Sequence, residues 1–166
     1  MVLLIQNNEI SEIAFSRGIS EGLFLPSQIL AVQRMWFADW VSSEFYSDVI
    51  DNVNDYYSFI DDYVKPVIAF GAIYTNFESV TSSLTDKGLI RIQAEGVFQV
   101  VDDLTKTMSK TEYKQIAYSL IQDMRAFCEK EKKAGNSLFE SYKSSDLQPV
   151  LARFDESRGA LQRRAY

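Results

Sequence analysis

Carboxylate side chains are the residues of this sequence whose type and spacing could support chemistry. Glu44, Asp48, Asp51, Asp55 and Asp62 lie at offsets of zero, four, seven, eleven and eighteen residues, and on a continuous α-helix they would share one face. A carboxylate-bridged metal site needs ligands from facing helices, usually with histidine, and the chain has no histidine. We therefore interpret these five residues as an acidic face without a metal.

This acidic face has two interpretations. Like charges at helical spacing repel one another, so a solvated outer surface is the simplest interpretation. The functional alternative is a surface that meets a basic partner or repels DNA.

The sequence offers no constellation of residues for catalysis. Without histidine there is no imidazole base, and the single cysteine, Cys128, leaves no Cys/His pair and no thiolate–imidazole metal site. Phosphate-binding loops, CxxC pairs and HExxH sequences are also absent. The sequence predicts a protein that is not an enzyme, with no cofactor and a buried, reduced thiol at Cys128.

Length and composition predict one globular domain. The chain has 166 residues, 46% of them hydrophobic and 13% aromatic, which is enough to bury a core. No run of about eighteen apolar residues is present, and the first residues lack the basic region of a secretory signal. We expect a protein that is made and folded in the cytoplasm and has no membrane partner.

Charge is distributed unevenly along the chain. The net charge of -6 argues against nucleic acid as a general partner, because phosphate binding depends on Lys and Arg. Residues 35–64 contain seven acidic residues and no basic one, whereas residues 147–166 contain four arginines and two acidic residues. The body is therefore acidic and the C-terminal end basic.

A central helix is predicted over residues 54–81. Its apolar residues recur at intervals of three and four, and they are Tyr56, Ile60, Tyr63, Val67, Phe70, Tyr74 and Phe77. This spacing indicates a face directed to the core, with Asn54 as a suitable N-cap. Pro66 lacks an amide hydrogen, so we expect a kink or a break near residues 62–65.

Other helices are predicted on both sides of the central one. One begins at Asn7 or Asn8, one at Pro26 or Ser27, and one after Ser43. The clearest amphipathic helix is predicted to begin at a capping box over residues 109–112 and to end at Gly135.

Two tryptophans on the second predicted helix allow two interpretations. Trp36 and Trp40 are four residues apart and share a helical face. Burial is the simpler interpretation, and an anchor for a partner at the rim of an interface is the alternative.

Two appendages complete the predicted architecture. Alternating residues around Asp86-Lys87-Gly88 predict a small β-hairpin over 84–92, and Pro149 with weak periodicity predicts an extended arm over 147–166. Residues 1–146 are then a mainly all-α bundle of four to five helices. The candidate interface residues in the appendages are Leu84, Lys87, Ile90, Arg91, Arg153, Phe154, Arg158, Leu161, Arg163 and Arg164.

The order of these parts resembles the head–tail connector (adaptor) proteins of tailed bacteriophages, in particular those of phages of gut Bacteroidetes. The resemblance covers residues 1–145. It is carried by a helix beginning near Gln28 with Gln33 in its middle, Lys65-Pro66 inside an aromatic helix, residues 85–89 (TDKGL), and a closing Phe139-x-x-Tyr142.

The resemblance implies a helical bundle assembled as a homo-oligomeric ring, a dodecamer, in the neck of the virion between head and tail. Its implied partners are copies of itself, the portal protein, tail or neck proteins, and DNA that passes without specific binding. The ring would seal the head and join it to the tail. The alternative function is a small cytoplasmic helical adaptor or regulator that dimerises through the Trp36/Trp40 face.

Overall fold

Helices make up almost all of the secondary structure that is described. A computed structural model of the chain describes residues 2–15, 24–77, 79–80 and 110–144. Within these ranges there are five helices: α1 (Asn7–Phe15), α2 (Pro26–Trp36), α3 (Ser43–Asp51), α4 (three consecutive segments, Tyr57–Phe59, Ile60–Val64 and Lys65–Thr75) and α5 (Lys110–Lys133). Short 3₁₀ turns cover Ala38–Trp40 and Ser137–Phe139.

The described part of the chain confirms the prediction of a mainly all-α fold. No strand forms among these residues, and the nearest feature is an isolated antiparallel bridge between Val41 and Ser144. The predicted hairpin at 84–92 and the predicted arm at 147–166 both lie outside the described residues. None of the described helices has the length and apolar character needed to cross a membrane.

Local chemistry explains where α2 and α3 begin. Pro26 occupies the first turn of α2, where its missing amide hydrogen costs nothing, and the side chain of Gln28 accepts a hydrogen bond from the Leu25 amide at 2.8 Å. The hydroxyl of Ser42 accepts from the amide of Phe45 and caps α3. Both starts agree with the sequence prediction.

The predicted N-cap of the central helix is wrong. Asn54 lies in the turn between α3 and α4, where its carbonyl accepts from the amide of Tyr57 at 3.4 Å. The residue that precedes α4 is Tyr56, whose side chain makes no capping bond. Asn54 is therefore a turn residue, since such turns also favour asparagine.

Pro66 is accommodated without an end to α4. The segment Ile60–Val64 is a π-helix, and the amide of Lys65 donates to the carbonyl of Ile60 five residues earlier. Phe59, Ile60 and Val64 all keep right-handed helical dihedral angles. The helix therefore widens locally where the proline cannot donate, instead of breaking.

The segment Lys65–Thr75 of α4 lies at the centre of the core. It contacts α1, α2 and α5, and so it is buried on more than one face. Its buried residues are Val67, Ile68, Ala69, Gly71, Ala72 and Ile73. The predicted stripe is confirmed in part, since three of its residues are buried and four are only half-buried. The buried ones are Tyr56, Ile60 and Val67, and the half-buried ones are Tyr63, Phe70, Tyr74 and Phe77.

A buried glutamine holds the N-terminal segment against α2 and α3. The side-chain oxygen of Gln33 accepts from the amide of Leu4 at 2.9 Å, and its nitrogen donates to the carbonyl of Val2 at 3.3 Å and to the hydroxyl of Tyr46 at 3.0 Å. Gln33 has no exposed surface. These bonds satisfy an amide group that would otherwise be costly to bury.

Candidate interaction surfaces

The structure does not support an interface role for the two tryptophans. Trp36 is fully buried and Trp40 is 8% exposed, so neither side chain offers surface to a partner. The indole nitrogen of Trp36 donates to the hydroxyl of Thr75 at 3.0 Å, and both indoles contact the ring of Tyr118 edge-on with centroids 5.6 Å apart. The predicted shared helical face does not form, because α2 ends at Trp36 and Trp40 lies in the 3₁₀ turn that follows. Both indoles instead face Tyr118 of α5 within the same chain.

The predicted acidic face does not lie on one continuous helix. α3 ends at Asp51, and the turn over residues 52–56 separates it from α4. Because the five residues share a face only on a continuous helix, the predicted single stripe does not form. Glu44, Asp51, Asp55 and Asp62 are nevertheless exposed.

The segment 24–77 contains further acidic side chains. Asp39 and Asp61 are also exposed, and Arg34 and Lys65 are the basic residues of the described segment 24–77. With seven acidic residues against these two, the segment carries a net charge of -5. We call the exposed carboxylates of α3, of the turn that follows it and of the beginning of α4 the acidic surface.

Asp48 differs from the other predicted acidic residues. It is half-buried, and its carboxylate accepts a hydrogen bond from the hydroxyl of Ser141. The backbone carbonyl of Ser141 in turn accepts from the hydroxyl of Ser42 at 2.9 Å. Asp48 thus connects α3 to Ser141, in addition to any part in a surface charge.

Residues 137–144 form a segment that we call the C-terminal clasp. Besides the Ser141 contacts, the amide of Ser42 donates to the carbonyl of Lys143 at 2.9 Å, and the hydroxyl of Tyr56 donates to the carbonyl of Leu138. These bonds fasten the clasp across the N-terminal end of α3 and the turn that precedes α4.

Two aromatic rings of the clasp extend into the core. Phe139 and Tyr142 are 4% and 2% exposed, and both contact the ring of Phe45. Phe139 also meets Phe59 and Phe127 edge-on. The motif Phe139-x-x-Tyr142 is therefore an anchor of the clasp in the aromatic part of the core.

A lysine joins α1 to α4. The ammonium group of Lys65 lies 2.6 Å from Glu9 Oε1 and 2.8 Å from Asp61 Oδ1, and its side chain is 15% exposed. Burial by itself lowers the pKa of Lys65, but hydrogen bonds to the two carboxylates more than offset it and raise the pKa to about 12. The charged form is thus favoured.

The thiol of Cys128 is buried and protonated at neutral pH. It has no exposed surface, and burial raises its pKa to about 12. Burial is also the main cause that raises the pKa of Tyr142 to about 12. The predicted buried and reduced state of Cys128 agrees with this environment, since reactive thiols need a low pKa and exposure.

Two features of the body were missed by sequence reasoning. The sequence could have indicated the buried role of Gln33, because this uncharged polar residue falls between Ile29 and Trp36 on the apolar side of α2. No sequence pattern indicates the bonds from Ser42 to residues 141 and 143, since they join positions about one hundred residues apart. Serine is also too common at the surface to indicate such contacts.

The remaining candidate interface residues belong to the predicted hairpin and the predicted arm. The hairpin residues between 84 and 92 and the arm residues between 153 and 164 lie outside the described ranges. Among the described residues no group of three or more His, Cys, Asp or Glu side chains is arranged to hold a metal ion.

Comparison with protein-family models, curated proteins and solved structures found no match to the chain.

Proposed function

We propose that this chain is a structural protein of tailed bacteriophages that assembles as a ring between portal and tail. The ring would seal the head, join it to the tail and leave a passage for DNA. The proposal starts from the resemblance in the order of the sequence parts, and the charge distribution of the described body supports it.

The separation of charge is the observation that carries this proposal. The described segment 24–77 has a net charge of -5, whereas the segment 147–166 has a net charge of +2. In a closed ring one surface of each copy meets a different surface of the next copy, so unlike surfaces are required. Opposite charges on two parts of one chain provide such a pair and select one orientation.

The distribution of apolar side chains favours contacts of this polar kind. The large hydrophobic side chains that are exposed in the described residues are Val2, Leu25 and Tyr57. With Trp36 and Trp40 buried, the dimeric regulator lacks the face on which it was predicted to associate. Copies would therefore meet through charged surfaces and through the segments that the sequence places at 84–92 and 147–166.

An acidic wall suits a passage for DNA. Nonspecific binding to phosphates draws its free energy from counterions that Lys and Arg displace. A surface with exposed carboxylates such as Glu44 and Asp51 lacks this contribution and allows DNA to slide without being held. In this proposal the acidic surface meets either the neighbouring copy or the passing DNA.

The mass of the assembled protein tests the proposal. We expect native mass spectrometry and electron microscopy of the purified chain, alone and with portal protein, to show closed rings. A variant that lacks residues 147–166 should keep the helical content of the parent. It should form rings only at a higher protein concentration than the parent, because the basic partner of the acidic surface is gone.

A deletion of residues 84–92 is the matched comparison, since it removes the other predicted contact segment without changing the arginines of the arm. The proposal fails if the full chain stays monomeric or dimeric at high concentration and also with portal protein. An unchanged ring after removal of residues 147–166 would refute the role of the arm alone.

A further inference from the structure

Two neighbouring segments of the described body carry no charged residue. Residues 2–8 and 24–33 contain no Lys, Arg, Asp or Glu, although such residues make up 24% of the chain. The segments lie side by side, because the side-chain amide of Asn7 donates to the carbonyl of Phe24 at 2.9 Å. The side chain of Gln33 also binds two backbone groups of the first segment. We call the exposed residues of these two segments the uncharged face.

Exposed apolar side chains are concentrated on the uncharged face. Leu25 is 64% exposed and Val2 is 42% exposed, and Tyr57 is the other large hydrophobic residue that is exposed in the described ranges. The core of an interface between proteins is typically depleted in charged residues. The uncharged face therefore has the composition of a contact surface, in contrast to the acidic surface.

Residues 2–5, which we call the strap, are bound to the body of the chain through their backbone. The side-chain amide of Gln33 donates to the carbonyl of Val2 and accepts from the amide of Leu4. Gln33 is fully buried, and Leu4 and Ile5 of the strap are buried beside it. The structure thus contains a built site for a short apolar segment, and the strap shows what this site binds.

The root of the strap is fixed to its own copy. The amide of Gln6 donates to Oε2 of Glu9 at 2.6 Å, and Oε1 of the same carboxylate lies 2.6 Å from the ammonium group of Lys65 on α4. Only residues 2–5 are therefore available to move, and four residues span at most about 14 Å. The strap can reach only a partner that lies directly against the uncharged face.

We propose that two copies of this chain meet on their uncharged faces and exchange straps, so that the strap of each copy occupies the site at Gln33 of the other. The partner is a second copy because it carries the segment that this site binds. Exchange replaces each lost contact by an identical one, which makes it a low-cost route to association.

This contact differs from those of the proposed ring. Each copy carries both its strap and its site on the uncharged face, so exchange is reciprocal between two copies, whereas a ring needs two unlike surfaces. The inference therefore goes beyond the proposed function and does not depend on it.

A photo-cross-link identifies which copy holds the strap. Full-length chains with Val2→benzoylphenylalanine, a change at an exposed position, are prepared with light and with heavy nitrogen, mixed in equal amounts while dilute, and irradiated after concentration. Mass spectrometry then identifies cross-links to α2 and α3, which carry Gln33 and Tyr46. If straps are exchanged, about half of these cross-linked pairs should contain both isotopes, because copies pair at random. A share well below half means that each strap stays in its own copy, and it overturns the inference.

Charge on the uncharged face should prevent the exchange. Ser27→Glu with Ala31→Glu adds two carboxylates at exposed positions one turn apart on α2. In the full chain the helical content should be unchanged. The protein concentration at which mixed pairs reach half of their maximum should rise about tenfold or more, because like charges then meet across the contact. Cross-links within one copy should remain.

The matched control is Gln122→Glu with Ala126→Glu, which adds the same charge at the same spacing to exposed positions of α5. We expect this pair to exchange straps like the parent. Equal losses in both pairs would show that total charge matters, and they would reject the uncharged face as the contact.

The proposed function and this inference can fail separately. Rings without mixed pairs reject the exchange and leave the ring in place. Mixed pairs at half of the total in a protein that forms no rings support the exchange and reject the ring. A chain that stays monomeric at high concentration and also with portal protein rejects both.

Discussion

Gly71 of α4 lies where the chain can accept no larger residue. A Cβ atom at this position would be 2.5 Å from Cγ of Trp36, a distance that side-chain carbons do not tolerate. The indole cannot move easily, because its nitrogen is bonded to Thr75 and its ring meets Tyr74 and Tyr118. The absence of a side chain at Gly71 is therefore what lets α2 approach α4.

The substitution Gly71→Ala should lower the free energy of unfolding by about 1–3 kcal/mol, the usual cost of overfilling a core. Urea denaturation measures this change in the free energy of unfolding. In a Trp36→Ala background the same change should become neutral or stabilising by up to about 1 kcal/mol, since alanine is the better helix former. Equal losses in both backgrounds would show that the indole is not the obstacle.

Ionisable groups in the core predict a loss of stability at alkaline pH. The thiol of Cys128 has an ordinary pKa of 9.0 and a pKa of about 12 in the fold, so only the unfolded chain loses this proton between these values. Stability must therefore fall as pH rises above 9. Tyr142 adds to the loss from its ordinary pKa of 10.0 upward.

Lys65 also lowers the stability of the fold at alkaline pH, although its deprotonation removes a positive charge and does not create a negative one. Its pKa is raised from 10.5 to about 12, so its ion pairs stabilise the fold fully below pH 10.5 and are lost as pH rises toward 12.

The thiol of Cys128 provides the test of this pH dependence. We expect urea denaturation to show that the free energy of unfolding decreases by about 1 kcal/mol between pH 8 and pH 10 from Cys128 alone. Cys128→Ala should remove most of this decrease and leave the smaller contribution of Tyr142. A flat profile in the parent would contradict the prediction.

At the level of elements, Lys65 connects α1 to α4. Its replacement by methionine keeps the apolar stem but leaves the carboxylate of Glu9, whose side chain is 28% exposed, without its cation. We expect a loss of about 1–2 kcal/mol in the free energy of unfolding, because partly buried charged hydrogen bonds contribute more than exposed pairs.

Hydrogen exchange should locate the effect of Lys65→Met in α1. The exposed Lys130, at the end of α5, offers the control Lys130→Met, which should change stability by less than about 0.5 kcal/mol. If exchange rises equally in α1 and α5, the lysine does not join α1 to α4 in particular.

Helices were the part of the fold that the sequence predicted best. Pro26 marks the start of α2, and Gly135, with φ of +79°, follows the end of α5 as predicted. Cys128, which the sequence predicted to be buried, is among the buried residues of α5. These signals are local, because each depends on residues within one or two turns.

Contacts between distant parts of the chain were not predictable in the same way. The clasp, the Lys65–Glu9 pair and the Gly71–Trp36 contact join residues that are far apart in sequence. The error at Asn54 has a related cause, since the same residue type suits a helix cap and a turn. Only the packing of α3 against α4 decides between them.

At the scale of the whole molecule, the exposed carboxylates are predicted to direct assembly. Glu44→Gln, Asp51→Asn and Asp55→Asn remove three charges from the acidic surface and leave the bond from Ser141 to Asp48 intact. We expect rings to form only at higher concentration and with a weaker dependence on salt, because complementary charge sets both. Sedimentation at two ionic strengths measures these effects.

An equal change of net charge elsewhere is the control for that variant. Glu12→Gln, Asp123→Asn and Glu129→Gln neutralise three exposed carboxylates on α1 and α5. If both triple variants assemble and pass DNA like the parent, the acidic residues are only a solvated surface. If both are equally defective, total charge matters and the location of the three carboxylates does not.

The burial of Trp36 and Trp40 has a practical consequence, because they are the two tryptophans of the chain. Indole emission shifts to longer wavelength when water reaches the ring. Association of intact copies would leave both indoles in place, whereas loss of the core would expose them. The emission maximum can therefore report, during any assembly titration, whether a variant has failed to associate or has failed to fold.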